Sequence, residues 1–353
     1  MPPEPFKLGA RTVGEGQPPL IVAEMSGNHN QSLDRALELV DAAADSGADA
    51  VKLQTYTADT MTLDIDKADF YIDDPGSLWK GKTLYQLYEE AHTLWDWHEP
   101  IIERCRKRDI EWFSTPFDDT AVEFLEQFDP PAYKIASFEN IDLPLIRKVA
   151  STGKPVIIST GMASLEEIGE AVQTARDSGC RDLVLLHCVS SYPAPANEYH
   201  LKTIADLAER FAVHAGLSDH TLGTAVALAA TSLGACVIEK HFTLKRSDGG
   251  PDAAFSLEPG ELKQLCEGCH TAWQALGRVN YDRAPCEERN VKFRRSIYVV
   301  RDINPGEAIT ADNIKTIRPG YGLPPKHWDS VLGKKAREKI DRGTPLQWSL
   351  LEP

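Results

Sequence analysis

Side chains able to bind anions, hold metal ions or move protons recur at the ends of short apolar runs. AEMSGNHN offers Glu24, Ser26, Asn28 and His29, VKLQTYT offers Lys52 and Gln54, and STPFD offers Ser114 and Thr115. Further along, YKIASFE brings Lys134, Ser137 and Glu139, ISTGM brings Ser159 and Thr160, and HCVSSYP brings His187, Ser190, Ser191 and Tyr192. GLSDHT contributes Ser218, Asp219 and His220, and VIEKHFTL sets Glu239, Lys240 and His241 in a row. Each of these has an ordinary structural use when taken singly. Together they bury polar groups at the end of run after run, which is costly unless a ligand satisfies them.

Two lysines and several hydroxyls aimed at one place make an anion site, with Lys as point charge and Ser or Thr as donors to phosphate or carboxylate oxygens. The pattern points to a phosphorylated ligand. His220 and His241, on neighbouring runs, supply two imidazoles with open positions, a set that suits a catalytic divalent ion such as Mn or Zn. Along an extended strand Glu239 and His241 share one face and Lys240 takes the other. Glu239 is then expected to orient the metal ligand or its water, and Lys240 to face away from the site.

The elements that must position these residues are eight β-rich runs: 20–26, 50–56, 110–117, 132–139, 155–162, 183–193, 213–220 and 235–243. Amphipathic segments such as SLDRALELVDAAADSGA and SLEEIGEAVQTARDSG lie between them. Eight βα units predict a (β/α)8 TIM barrel, α/β in class, whose active site lies at the C-terminal ends of the strands. After the second run a polar piece covering residues 57–83 is too long for a simple crossover and is read as a flap over the barrel mouth. The helix-like TLYQLYEEAHTLWDWHEPIIERCRKRD follows it. The barrel is assigned residues 1–276, a polar linker 277–293, and a small β-rich domain with Pro-Gly turns 294–353.

The chain has 353 residues and a net charge of −15, which disfavours nucleic acid and anionic membrane as partners and requires a local positive cluster for any anionic substrate. No run reaches the roughly 18 apolar residues of a membrane span, and the first residues lack the apolar core of a signal peptide, so a cytoplasmic protein is expected. Seven scattered cysteines suit reduced thiols rather than a disulfide framework. CEGCH has the spacing of c-type haem attachment, but Leu262, Leu265, Cys266, Cys269, Trp273 and Leu276 around it follow helical spacing, so a packed helix is expected instead.

With these strings in order, followed by AFSLEP, the chain resembles the sialic acid synthase family, which condenses phosphoenolpyruvate with an amino-sugar aldehyde to make nonulosonic acids. The tail SIYVVRDINPGEAIT, IRPGYG and GTPL resembles the antifreeze-like (SAF) domain that follows these barrels. The resemblance implies that Lys52, Thr115, Lys134, Ser137, Ser159, Ser190 and Ser218 hold phosphoenolpyruvate. It implies His220 and His241 as ligands of Mn or Mg and Glu24 as the catalytic carboxylate. Gln54, Glu139, Tyr192 and Asp252 resemble sugar-contacting positions, and Arg318 the arginine that reaches the partner's site in a domain-swapped homodimer. Ser190 stands where sialic acid synthases tend to carry Asn.

SDGGPDAAFSLEP is more similar to pseudaminic acid synthases than to sialic acid synthases, which tend to have Gly-Pro-Asp-His before Ser-Leu-Glu-Pro. This favours 2,4-diacetamido-2,4,6-trideoxy-altrose as co-substrate and pseudaminic acid as product, with N-acetylneuraminate or legionaminic acid synthesis as alternatives. Other barrel enzymes that make 3-deoxy sugar acids from phosphorylated aldoses would not be expected to carry the SAF tail, and their sugar site needs a second basic phosphate cluster that this sequence does not offer. A carbohydrate-binding protein without catalysis would be expected to show broken site positions, whereas Glu24, both lysines and both histidines are present.

Overall fold

The computed structural model describes residues 3–74 and 77–353. All eight runs form strands: Leu20–Glu24, Ala50–Thr55, Glu111–Pro116, Tyr133–Ile135, Val156–Ser159, Leu183–Cys188, His214–Asp219 and Val237–His241. They pair in parallel in chain order, and the eighth pairs with the first to close a barrel. Helices lie between them, opened where the sequence supplies a cap: Ser32, Asp118 and Ser164 each accept a backbone N–H that the first turn leaves unpaired. In Leu33–Asp45 the buried residues Ala36, Leu39, Val40 and Ala43 form one stripe against the strands.

The barrel interior changes character along each strand. Near the N-terminal ends, Leu20, Val22, Ala50, Phe113, Ile157 and Val237 form a dry cluster, which a hairpin of Phe6–Leu8 and Arg11–Val13 caps with Phe6, Leu8 and Val13. Two residues on from Val22, Ala50, Phe113, Ile157 and Val237, the same face carries buried Glu24, Lys52, Thr115, Ser159 and Glu239. Gly216 belongs to this inner face because a Cβ there would lie 2.4 Å from the Val237 carbonyl oxygen and 2.8 Å from Leu186.

Between the second and third strands the helix-like stretch divides into Leu84–Ala91 and His98–Lys107. The break follows from burial of Thr93, whose hydroxyl lies 3.2 Å from His29 Nε2, and the chain turns inward to reach it. Pro75 and Gly76 of the 57–83 segment lie outside the described residues. Within that segment Trp79 sits at the mouth, its indole N–H donating to the Pro251 carbonyl at 2.8 Å and its ring 6.0 Å from Tyr192.

CEGCH lies in the helix Pro259–Leu276, with Cys269 buried and His270 beside Gln274, and all seven cysteines are free. Among the described residues no helix is long and apolar enough to cross a membrane. The chain divides into two compact units, Met1–Gly277 and Arg278–Pro353. The second has an antiparallel pair, Ser296–Val299 with Ile314–Ile317, over a small core that includes Ile297, Ile303, Val331 and Leu346.

Candidate active site

Four charged groups occupy the polar end of the barrel. Glu24 Oε2 lies 2.5 Å from Lys52 Nζ, and its Oε1 accepts from Gln54 Nε2 at 2.9 Å and from the Ser26 backbone N–H at 3.1 Å. Lys52 also donates to Thr115 Oγ1 at 3.2 Å. Glu239 Oε1 sits between the two lysines, 3.9 Å from Lys52 Nζ and 3.8 Å from Lys134 Nζ, and accepts from Ser218 Oγ at 3.1 Å. Lys134 donates to Ser159 Oγ at 2.7 Å.

Burial is the largest influence on all four, and the partners decide the outcome. Burial pushes the Glu24 carboxyl up despite Lys52, whereas Lys134 and Lys52 together hold Glu239 below the usual carboxylate range. Against burial, Glu239 and Glu24 hold the Lys52 ammonium above its ordinary value, while burial prevails at Lys134 and lowers it. Lys134 is therefore the less compensated cation, the one with more to gain from an incoming anion.

A pocket of hydroxyls adjoins Lys134. Ser190 Oγ donates to Ser137 Oγ at 2.8 Å, and Asn140 Nδ2 secures the neighbouring loop through the carbonyls of Ser159 and Gly161, at 3.2 and 3.1 Å. A Cβ at Gly161 would lie 2.2 Å from Ser190 Oγ and 3.1 Å from Ser137 Cβ, so glycine lets backbone and hydroxyls close around one small space. Lys134, Ser137, Ser159 and Ser190 are thus brought together, with Lys52 and Thr115 beside them.

The two imidazoles stand at the same mouth, ring centroids 5.6 Å apart. His220 Nδ1 is 2.9 Å from the Val189 carbonyl, which assigns it the proton and leaves Nε2 as the acceptor. His241 Nδ1 is buried, has no hydrogen-bond partner among the described residues, and lies 3.7 Å from Asp252 Oδ2. Burial lowers both imidazoles, and the adjacent His220 takes His241 further down, so both are neutral. Tyr192 packs over His220 at 4.5 Å and Phe255 against His241 at 4.9 Å. Burial raises the Asp252 carboxyl to about 6 although it accepts from the Ser26 hydroxyl. Ser26 has a φ of 47°, a left-handed conformation costly for a residue with a side chain, and there it links Glu24, Gln54 and Asp252.

Several expectations need correction. Glu239 makes no hydrogen bond or ion pair to either imidazole among the described residues: its Oε1 meets the Ser218 hydroxyl and the two lysines, while its buried Oε2 has no hydrogen-bond partner there and its charge acts on His220. The Ser218 hydroxyl donates to Glu239. Asp219 pairs in register with Lys240, and both turn away from the barrel interior, where Lys240 Nζ donates to Asp219 at 2.8 Å and to the Thr221 carbonyl at 2.5 Å. The same parity turns Ser114 outward to Thr55 and His187 to the Tyr199 carbonyl. His29 is buried against Thr93 and Trp97, its imidazole lowered to about 4 by burial, and Asn28 ties its loop to Phe242 and Ser256.

Gln54, Tyr192 and Asp252 fall at the mouth, whereas Glu139 lines a separate open cavity of about 490 Å³. Burial raises its carboxyl to about 7 against the pull of Lys134, and its Oε2 has no hydrogen-bond partner among the described residues. Arg318 is exposed on the second unit. Two side chains outside the expected site emerge only here: Asn140 and Trp79. Position was the available signal for the first, since Asn140 directly follows YKIASFE.

Among the described residues no group of three or more His, Cys, Asp or Glu side chains is arranged to hold a metal ion. Comparison with known proteins gives the same site a lineage. The NeuB family model matches residues 39–281 and the SAF domain model residues 294–352. A pseudaminic acid synthase of Helicobacter pylori is 45% identical over 334 residues, 94% of this chain and 97% of that protein. An N,N'-diacetyllegionaminic acid synthase of Campylobacter jejuni is 38% identical over 321 residues, 90% and 95% of the two chains. A crystal structure of N-acetylneuraminic acid synthetase from Leptospira borgpetersenii, with citrate, superposes with a TM-score of 0.72 at 30% identity, covering 83% of this chain and 96% of that one. The chain therefore belongs to the NeuB family, the sialic acid synthase type of enzyme, and carries a SAF domain after its barrel.

Proposed function

We propose that the protein condenses phosphoenolpyruvate with an open-chain 2,4-diacetamido-2,4,6-trideoxy-altrose and water, giving pseudaminic acid and phosphate. The carrying observation is the junction of the Lys52–Lys134 anion site with the His220–His241 pair at one barrel mouth. Similarity to a pseudaminic acid synthase, at 45% identity, favours this sugar over that of the legionaminic acid synthase, at 38%.

Lys134, Ser137, Ser159 and Ser190 hold the phosphate, and Lys52 with Thr115 the carboxylate, so two ammonium groups offset the anion throughout. Lys52 turning to the substrate removes the ion-pair partner of Glu24 Oε2, which raises the basicity of that carboxylate as proton acceptor for the water that adds at C2. C3 attacks the aldehyde carbon and phosphate leaves by C–O cleavage. A divalent ion, Mn or Mg, fits at His220 and His241, because His241 Nδ1 is buried without a hydrogen-bond partner among the described residues and the Val189 carbonyl orients His220 for ligation by Nε2. When bound, such an ion supplies Lewis-acid polarisation of the sugar carbonyl. In this reading the protein works as a homodimer, with the exposed Arg318 of one subunit serving the other subunit's barrel.

The test is phosphate release and product mass from the purified protein with phosphoenolpyruvate and a panel of amino sugars. Turnover of the altrose-configured diacetamido sugar, lost in excess chelator and restored by Mn, is the expected result. Turnover of N-acetylmannosamine alone would exclude the pseudaminic assignment.

A further inference from the structure

Ser26 holds a backbone conformation that its residue type does not favour. It opens the short 3-10 turn Ser26–His29, just beyond the first barrel strand, with a φ of 47°. There the Cβ crowds the following carbonyl, and glycine would rest without that strain. The residue is 4% exposed, so the side chain is not placed there for solubility. Strain of this kind persists where the surroundings over-determine it, and the surroundings here are site residues.

The Ser26 hydroxyl donates to Asp252 Oδ2 and accepts from Gln54 Nε2 at 3.2 Å. A hydroxyl has one hydrogen, so giving it to Asp252 leaves only lone pairs for Gln54, and each bond fixes the direction of the other. Gln54 Nε2 also donates to Glu24 Oε1 at 2.9 Å. Both of these amide contacts are made by nitrogen, which leaves Gln54 Oε1 to accept from a ligand. Asp252 belongs to the segment after the last strand, and among the described residues Ser26 is the hydrogen-bond donor that its carboxylate meets. The same segment is fastened separately on its outer side, where Arg35 Nη1 pairs with Asp248 Oδ2 at 2.7 Å. The Gln54–Asp252 side of the mouth therefore offers acceptors, and the Lys52–Lys134 side offers donors. Phosphoenolpyruvate brings oxygens that accept, whereas an acetamido sugar brings hydroxyl and amide donors, so the two substrates suit opposite sides.

We infer that Ser26 is a positioning residue for the sugar: from its left-handed backbone the hydroxyl holds the Asp252 carboxylate and the Gln54 amide with their free oxygens turned to the sugar's donors. The inference rests on the synthase reading above, because it takes Gln54 and Asp252 as sugar contacts.

The test measures KM for each substrate, kcat and thermal unfolding for wild type, Ser26→Ala, Ser26→Gly and Asp248→Asn. Both Ser26 variants should raise KM for the sugar by about 10- to 100-fold while KM for phosphoenolpyruvate stays within about 2-fold. Ser26→Gly should melt above Ser26→Ala, because only glycine relaxes the backbone, yet it should bind the sugar no better. Asp248→Asn, which loosens the same segment from outside, should keep both KM values near wild type. A sugar KM that is unmoved in both Ser26 variants, or KM values for the two substrates that rise alike, overturns the positioning role. So does an equal loss in Asp248→Asn, which would mean that fastening the segment is all that matters. Those failures presuppose a wild type that turns over an amino sugar; absence of turnover across the whole panel would instead overturn the synthase reading, and this inference with it.

Discussion

The two ends of the barrel interior are built on the same strands and obey opposite rules. At the floor, Val22, Ala50, Phe113, Ile157 and Val237 exclude water and are closed off by the Phe6–Leu8 hairpin. Two residues further along, Glu24, Lys52, Thr115, Ser159 and Glu239 are equally buried yet polar, and at Lys134 and Glu24 burial outweighs the partner charges, lowering the ammonium and raising the carboxyl. One end is optimised for stability; the other carries an energetic load that a ligand relieves. A layer of side chains only one strand repeat thick separates them, so the contrast can be tested by exchanging roles.

The largest effect should come from Lys134→Met at the mouth. Removing a buried cation from an anion site should lower turnover by about 10³-fold. The apolar replacement is similar in volume and no longer needs desolvation, so thermal unfolding should move by only a few degrees. Steady-state phosphate release and a melting curve of the same preparation decide this, and a large loss of stability with activity retained would reverse the assignment of roles.

Phe113→Ala at the floor should do the opposite. Truncating a fully buried ring costs about 3–4 kcal/mol through lost transfer energy and the cavity left behind. Its kcat per folded molecule should stay near wild type, because Lys52, its register partner on the next strand, is held by Glu24 rather than by the ring. Urea unfolding with parallel kinetics would show the separation. A 10²-fold loss of kcat in the folded variant would mean that floor and mouth are one mechanical unit.

A smaller, pH-dependent effect concerns Glu139. Its carboxyl is raised from 4.5 to about 7 by burial, so the folded state holds the proton more tightly than the unfolded state. Below the unfolded value both states are protonated and the group is neutral in effect. As pH rises toward 7 the unfolded chain ionises first, and the folded wild type loses stability. Glu139→Gln, which cannot ionise, should therefore be indistinguishable from wild type at pH 4 and more stable by about 2 kcal/mol at pH 8, allowing for the group's partial exposure. Denaturant midpoints across that range measure it; a gap that is constant with pH would show that ionisation is not the cause.

Much of the barrel was legible in the chain, because period-two runs ending in polar residues, separated by capped amphipathic segments, have few other ways to bury themselves. Lys240 shows how far parity carries: alternation from His241 placed it on the outer face, and it pairs there with Asp219. Parity misled where its starting point was unknown. His187 and Asp219 were grouped with the site by proximity in sequence, yet each is one residue off the inward phase, and their hydrogen bonds go to Tyr199 and to Lys240 and Thr221. His29 lies beyond the strand, where no period applies. The helical stretch after residue 83 hid its break because Thr93 ends the helix by docking on His29, a contact between distant segments.

By itself, then, the sequence determined the closed barrel, which end of it carries the chemistry, and the residue types available there, since all three follow from local periodicity and the cost of burying polar groups. Only the tertiary structure decided the pairings: that Glu239 stands between two lysines, and that Ser26 in a left-handed turn joins Glu24 to Asp252. Those arrangements join residues tens to hundreds of positions apart, and the energies that select them belong to contacts that exist only once the barrel has closed.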